Sequence, residues 1–305
     1  MPVQFKHSGI CVGTLTPMKE NGDINLDVIP QYAEYLINAK VNAVFVNGTT
    51  SEGLSLSNEE RKQLAEKWIQ TAKGKLKVIV HCGAVALRDA QELAKHAEKC
   101  GADAIASIPS FYFPPRTVQE LVRSVAEIAS SAPDIPFIYY HSPRTHVDLD
   151  IASFMLLAKE KIPNFAGIKW ATSNAADAYK CVTKINNDDV TVMWAEDDTI
   201  LGALSMGISS FNGSSYSITA PYAHKIIEAY EKNDGKSADI SQIKMKQIVD
   251  LLEKNGNWLQ RTKAAVSMIG LPMGPTRLPV QMLDASEHKE LEQELRDMGL
   301  LHSCR

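Results

Sequence analysis

The sequence predicts an α/β protein folded as a (β/α)8 TIM barrel, with a helical extension at its C-terminal end. Eight short apolar runs, each bounded by turn residues, follow one another: Ile10–Leu15, Ala43–Val46, Val78–His81, Ala104–Ile108, Phe137–Tyr140, Ala166–Trp170, Val190–Trp194 and Ser209–Phe211. Successive positions in them are apolar, as strands covered on both faces of a parallel sheet must be. Helical patterns lie between them, and for most of the chain the strands recur at about thirty residues, the length of one β-α-β unit. An open doubly wound sheet shares these features, but eight consecutive units favour closure into a barrel.

The helical segments can be read from their ends. Asn58–Lys73 starts at a cap supplied by Ser57 or Asn58, carries Glu59 and Glu60 in its first turn, and puts Leu64, Ala65, Trp68 and Ile69 on one face. Asp89–Cys100 stops at Gly101, and Thr117–Ser131 and Asp150–Lys161 stop before Pro133 and Pro163. Between the seventh and eighth strands there is room only for a brief helix, Thr199–Gly207. From Pro221 the strand pattern ceases, and Tyr222–Lys232, Ala238–Asn255, Trp258–Ile269 and Ala285–Met298 read as helices. No Gly/Ser/Pro linker sets them apart. The expected organisation is a barrel over residues 1–218 that carries the site, with residues 219–305 packed on it as part of one unit.

Composition narrows the function. A chain of 305 residues suffices for one large barrel. The net charge of −4, with no basic stretch, argues against nucleic acid as a partner. No run approaches the ~18 apolar residues of a membrane span, and Met1–Ser8 is short and polar, without the apolar core of a signal peptide. A cytoplasmic protein acting on a small molecule is expected. Cys11, Cys82, Cys100, Cys181 and Cys304 form no C-x-x-C pair and read as small, reduced, apolar side chains. His141 and His146 lie five apart across a proline-containing loop, a poor spacing for metal ligands, so neither a metal nor a cofactor is expected.

In a (β/α)8 barrel the chemistry sits where strands end and the following loops begin. The second strand ends in Asn47-Gly48-Thr49-Thr50-Ser51-Glu52-Gly53. Its hydroxyls and backbone N–H groups can present donors to a carboxylate, or can simply form a polar turn that caps the next helix. The fifth ends in Tyr139-Tyr140, of which one must face the barrel interior and the other the helices. The sixth carries Lys169 inside the apolar run Gly167-Ile168-Lys169-Trp170. A lysine there is either a surface residue at a strand edge or a desolvated amine, and a desolvated amine is a nucleophile toward ketones. The seventh ends in Glu196-Asp197-Asp198, acids that suit either helix capping and solvent or a polar ligand. The eighth runs out into Asn212-Gly213-Ser214-Ser215.

Four pieces taken in order give the chain a resemblance: Gly48-Thr49-Thr50-x-Glu52-Gly53, Tyr139-Tyr140-x-x-Pro143, Gly167-Ile168-Lys169 and Gly213-Ser214-x-Tyr216. It resembles the N-acetylneuraminate lyase and dihydrodipicolinate synthase family, pyruvate-dependent class I aldolases, over nearly its whole length. Phe45–Ser57 and Leu271–Pro279 look like the animal lyases of that family. The resemblance implies that Lys169 forms a Schiff base with pyruvate and that Tyr140 relays protons. It implies that Thr49 and Thr50 bind the pyruvate carboxylate, and that Asp197, Asp198 and Ser214 contact the polyol tail of a sialic acid, with Ala171 and Ala195 beside it. Tyr112 matches an aromatic position that reaches into a neighbouring subunit, which implies a homotetramer. The expected reaction is cleavage of N-acetylneuraminate to N-acetyl-D-mannosamine and pyruvate; a sibling pyruvate aldolase is the alternative. Ser51, Ala171, Ala195 and Asp198 depart from the family's usual residues, and the loop Pro143–Val147 is about one residue short of its usual pattern.

Overall fold

The computed structural model describes residues 4–72, 74–185 and 190–301. Eight parallel strands close into a barrel in sequence order, β1 to β8, with β8 returning to β1. They are β1 (Gly9–Gly13), β2 (Ala43–Val46), β3 (Lys77–His81), β4 (Ala104–Ser107), β5 (Phe137–His141), β6 (Phe165–Trp170), β7 (Thr191–Trp194) and β8 (Ser210–Gly213). Among the described residues eleven α-helices surround and extend the barrel. Seven precede β8: α1 (Ile29–Asn38), α2 (Asn58–Ala72), α3 (Leu87–Cys100), α4 (Val118–Ala129), α5 (Ile151–Lys161), α6 (Ala175–Lys184) and α7 (Ile200–Ser205). Four follow it: α8 (Tyr216–Glu231), α9 (Gly235–Glu253), α10 (Trp258–Met268) and α11 (Ala285–Asp297).

Alternation along the strands separates two apolar regions. Val44, Val46, Val78, Val80, Ile105, Tyr139, Ile168 and Phe211 point outward and pack beneath the helices. Cys11, Phe45, Ile79, Ala106, Ile138, Tyr140 and Met193 fill the barrel. The two sets occupy adjacent positions, as the two-residue period of a strand requires.

One irregularity decides where Lys169 points. Phe137 pairs with Phe165 but Ile138 pairs with Gly167, so β6 contains one more residue than β5 opposite it. Without that bulge Lys169 and inward-facing Ala166, three residues apart, would face opposite ways. With it, Phe165 and Ile168 are outside while Ala166 lies inside, and Lys169 pairs with Tyr140 on one side and Met193 on the other. Gly167 makes the bulge possible, since a β-carbon there would lie 2.6 Å from the backbone oxygen of Thr191.

The elements differ from the sequence reading mostly at their ends. Ser57 is the cap of α2, its Oγ accepting from the Glu60 N–H at 3.3 Å while the Glu60 carboxylate accepts from the Ser57 N–H at 2.8 Å. Lys73, expected to end this helix, and Cys304 lie outside the described residues, as do Met1–Val3 of the polar N-terminus. Helix α1, which opens on Ile29-Pro30, and helix α6, whose buried face is Ala178, Cys181 and Val182, were not singled out in the sequence. Helix α8 starts six residues before the expected Tyr222. Pro221, expected to lie just ahead of this helix, is inside α8. Its ring nitrogen cannot donate to the carbonyl of Ser217, and Tyr35 does so instead through its hydroxyl at 2.9 Å.

The last helices are bound to the barrel mouth by buried charge. Lys263 of α10 is fully buried and donates to Glu52 Oε1 at 2.9 Å and to the Pro275 carbonyl at 2.5 Å. The other oxygen of Glu52 accepts from the Arg277 N–H at 2.7 Å. Arg277 in turn forks onto Glu60, with one contact at 2.8 Å. No helix among the described residues is long and apolar enough to cross a membrane.

Candidate active site

A cavity of about 330 Å³ opens at the C-terminal ends of the strands, lined by Thr49, Thr50, Tyr140, Lys169, Ala171, Ala195, Asp197, Asp198 and Ser214. Nine of the ten residues picked from the sequence therefore meet in one place. They come from strands β5 and β6 themselves and from the segments after β2, β6, β7 and β8, so only closure of the barrel makes them neighbours.

Lys169 is 6% exposed, which excludes the surface-lysine alternative. Its Nζ lies 4.0 Å from the centre of the Phe45 ring and 4.1 Å from that of Tyr140. Tyr140 is the inward member of its pair, and its hydroxyl lies 3.1 Å from Thr49 Oγ1. Tyr139 faces outward against Phe154 with ring centres 4.5 Å apart, and burial raises its phenol pKa. Thr50 is held close to β1: a β-carbon on Gly13 would lie 2.9 Å from Thr50 Oγ1. Ser51 fixes the same loop, donating to the Thr14 carbonyl at 2.6 Å while its own carbonyl accepts from Thr16 at 2.7 Å. The serine at this position is thus a structural tie and points at β1.

The acidic side is more committed than the sequence suggested. Asp197 Oδ2 accepts from the Ser215 N–H at 2.7 Å, and the carboxylate crosses the end of β8 over Gly213, where a β-carbon would lie 2.2 Å from Asp197 Oδ1. Desolvation, partly offset by the Ser215 hydrogen bonds, raises its pKa to about 6. Asp198 lies 3.4 Å from Lys246 of α9 and its carbonyl accepts from Gln242 at 2.7 Å. Glu196 also lines the cavity. Its pKa is pushed up to about 7, by burial first and then by repulsion from Asp197 and Asp198.

Tyr112 is the residue the fold does not bring in. It stands 73% exposed on the loop after β4, edge-on to the equally exposed Phe113 at 4.8 Å. A second hollow of about 640 Å³ lies beyond Thr49 and Tyr140, with Leu54, Ile108, Phe111, Pro279 and Val280 in its walls. Several lining residues were missed in the sequence: Val249, Leu252 and Glu253 of α9, and Trp258 and Thr262 of α10. Reading strand ends cannot find them, because they belong to helices far along the chain. The one available signal is Trp258 just after the break Lys254-Asn255-Gly256, where an aromatic residue sits at a helix start beside a left-handed turn.

Residues 6–298 match the dihydrodipicolinate synthetase family. The chain belongs to that family. Among its relatives, the N-acetylneuraminate lyase of Rattus norvegicus is 37% identical over 300 residues, covering 97% of this chain and 94% of that protein. The N-acetylneuraminate lyase of Gallus gallus is 40% identical over 291 residues, covering 94% of each. Among solved structures, the N-acetylneuraminate lyase (sialic acid aldolase) from Aliivibrio salmonicida superposes with a TM-score of 0.94 at 31% identity, over 98% of this chain and 99% of that one. The family match takes in the barrel and also α8 to α11, so the helices that wall the cavity are within it.

Proposed function

We propose that this chain is a class I aldolase that cleaves N-acetylneuraminate to pyruvate and N-acetyl-D-mannosamine. The observation that carries this reading is the buried Lys169 amine at a barrel mouth, stacked on Tyr140, whose hydroxyl meets Thr49. It is supported by relatives that bear the name N-acetylneuraminate lyase over nearly the full chain. In this reading Lys169 attacks the C2 ketone of the open-chain sugar acid and, with loss of water, forms an iminium. The iminium draws electrons from the C3–C4 bond as the C4 hydroxyl gives up its proton, which Tyr140 relays. The enamine is then protonated at C3 and the imine hydrolysed, returning the amine and releasing pyruvate. The iminium is itself the electron sink, so the reaction calls on no metal or cofactor.

Thr49 and Thr50 hold the pyruvyl carboxylate, a role their hydroxyls suit in a cavity shared with Lys169. Ser214 and the free oxygen of Asp197 take the polyol tail, and Asp198 contributes while paired with Lys246. Ala171 and Ala195 leave room beside it. We place the enzyme in the cytoplasm as a homotetramer, in which Tyr112 enters a neighbour's site through the hollow beyond Tyr140. Residues 1–218 carry the catalytic barrel, and residues 219–305 pack on it as part of the same unit.

The test is pyruvate release from a panel of nonulosonic and 2-keto-3-deoxy acids, with borohydride trapping alongside. N-acetylneuraminate should be cleaved, and pyruvate with borohydride should leave one adduct, on the peptide holding Lys169. Lys169→Ala should abolish trapping and lower activity by roughly 10³-fold or more. Inertness toward N-acetylneuraminate, with condensation of pyruvate and aspartate semialdehyde, would move the chain to the sibling reaction.

A further inference from the structure

On the helical layer outside the barrel, with none of the cavity's lining residues among them, α2 and α3 bring three metal-ligating side chains to one point. Glu66 of α2 and His96 and Cys100 of α3 hold their ligand atoms within 4.8 Å of one another. They are the one such group among the described residues. We propose that Glu66, His96 and Cys100 form a surface site for a borderline-soft divalent cation of the Zn²⁺ class, stapling α2 to α3.

The geometry supports this atom by atom. His96 Nε2 is 2.9 Å from Glu66 Oε1 and 3.5 Å from Cys100 Sγ. Around a tetrahedral zinc ion, usual bond lengths separate an imidazole nitrogen from a thiolate sulfur by roughly 3.6 Å and from a carboxylate oxygen by roughly 3.4 Å. The nitrogen–sulfur pair is already at that spacing, and the nitrogen–oxygen pair has to open by a few tenths of an ångström. Cys100 Sγ also lies 3.9 Å from His96 Nδ1, beside the ring, so the imidazole turns about its side-chain bonds to aim Nε2 at the shared ion. Residues four apart on a helix share a face, so His96 and Cys100 present their atoms together without rearrangement of the backbone.

The surroundings leave the group accessible. The Glu66 side chain is 57% exposed, and His96 and Cys100 are half-buried, so an ion can reach them and a water can complete its shell. Nearby Lys62 is engaged by Glu92, a residue of α3. Cys11, Cys82 and Cys181 are all buried, which leaves Cys100 as the accessible thiol among the described residues. A thiolate with an imidazole selects Zn²⁺, Co²⁺ or Cu over Mg²⁺ and Ca²⁺, which prefer oxygen. Binding transfers the Cys100 proton to solvent and adds a tie between two helices that pack on each other and share the Lys62–Glu92 ion pair.

Co²⁺ is the probe, added to the full-length reduced protein after chelator treatment. One equivalent per chain should give the near-ultraviolet thiolate-to-cobalt charge-transfer band with the visible bands of a four-coordinate ion, and Zn²⁺ should displace both. Cys100→Ser should abolish the charge-transfer band. His96→Ala and Glu66→Gln should each weaken binding by about tenfold or more. Cys304→Ser should leave the spectrum unchanged. Zn²⁺ should raise the Tm of the wild-type protein and leave that of Cys100→Ser where it was. Because Glu66 is exposed, Glu66→Gln tests the site without disturbing the fold. Absence of the band, its survival in Cys100→Ser, its loss in Cys304→Ser, or unchanged affinity in Glu66→Gln would each overturn the site as assigned.

Discussion

Tyr139 and Tyr140 are adjacent and chemically identical, yet their hydroxyls live in different surroundings. That of Tyr140 reaches Thr49 in the cavity, whereas that of Tyr139 is buried among the outer helices with no hydrogen-bond partner among the described residues. Tyr140→Phe is expected to lower kcat by roughly 10²–10⁴ while borohydride trapping on Lys169 persists, because in the proposed reaction the amine remains and the proton relay is lost. Tyr139→Phe removes an unpaired hydroxyl and should leave kcat near the wild-type value. Steady-state kinetics on the two variants decide the assignment, and the reverse order would sink it.

Glu196 gives the residue scale a pH signature. Its pKa is raised from 4.5 to about 7, chiefly by burial. The folded protein therefore holds this proton more tightly than the unfolded chain does. Folding stability is greatest below the unfolded value and falls as pH rises through that window toward the folded value. Glu196→Gln mimics the protonated form. Its Tm should match that of the wild type near pH 4 and exceed it increasingly up to pH 8. A constant difference across that range would mean that Glu196 titrates normally.

At the scale of the element, the bulge in β6 turns a strand residue into a site residue. Gly167 supplies the extra position, and the Thr191 carbonyl fills the space where its side chain would be. Gly167→Ala should force the backbone oxygen away or straighten the strand. We expect a stability loss of about 1–3 kcal/mol by urea unfolding, as for other overpacked sites, together with loss of imine trapping. A destabilised variant that still traps pyruvate fully would show that the bulge serves packing alone. Helix α8 makes the complementary point, because Pro221 is tolerated only where Tyr35 takes over the freed Ser217 carbonyl.

On the scale of the whole molecule, the pair Lys263–Glu52 joins residues 211 positions apart. It fixes α10 and the Leu271–Pro279 segment against the loop that carries Thr49 and Thr50. Lys263 is desolvated, which lowers its pKa, while Glu52 pulls it back up. Removing one partner of such a buried pair strands the other charge. Lys263→Met should cost about 3–5 kcal/mol by denaturant unfolding, and it should raise KM for the sugar acid more than it lowers kcat. A variant of wild-type stability would show that Glu52 finds a new partner or takes up a proton.

The sequence by itself determined the barrel. Eight apolar runs, each too short to be a buried helix and alternating with amphipathic ones, have few other ways to hide both faces of every strand. It also pointed to much of the cavity's lining, because Lys169, Tyr140, Thr49, Thr50 and the acids after β7 all fall at strand ends, where a parallel barrel gathers its loops. Tertiary structure alone decided the rest. Periodicity could not say that Lys169 faces inward, since one bulged glycine reverses the parity of the strand. It could not find Trp258, Thr262 or Glu253, which reach the cavity only because α9 and α10 fold back over the barrel mouth. Nor could it tell that one oxygen of Asp197 is taken by the Ser215 N–H and that Asp198 is paired with Lys246. Those are long-range contacts, and local sequence carries no record of which distant groups will share a hydrogen bond or a charge.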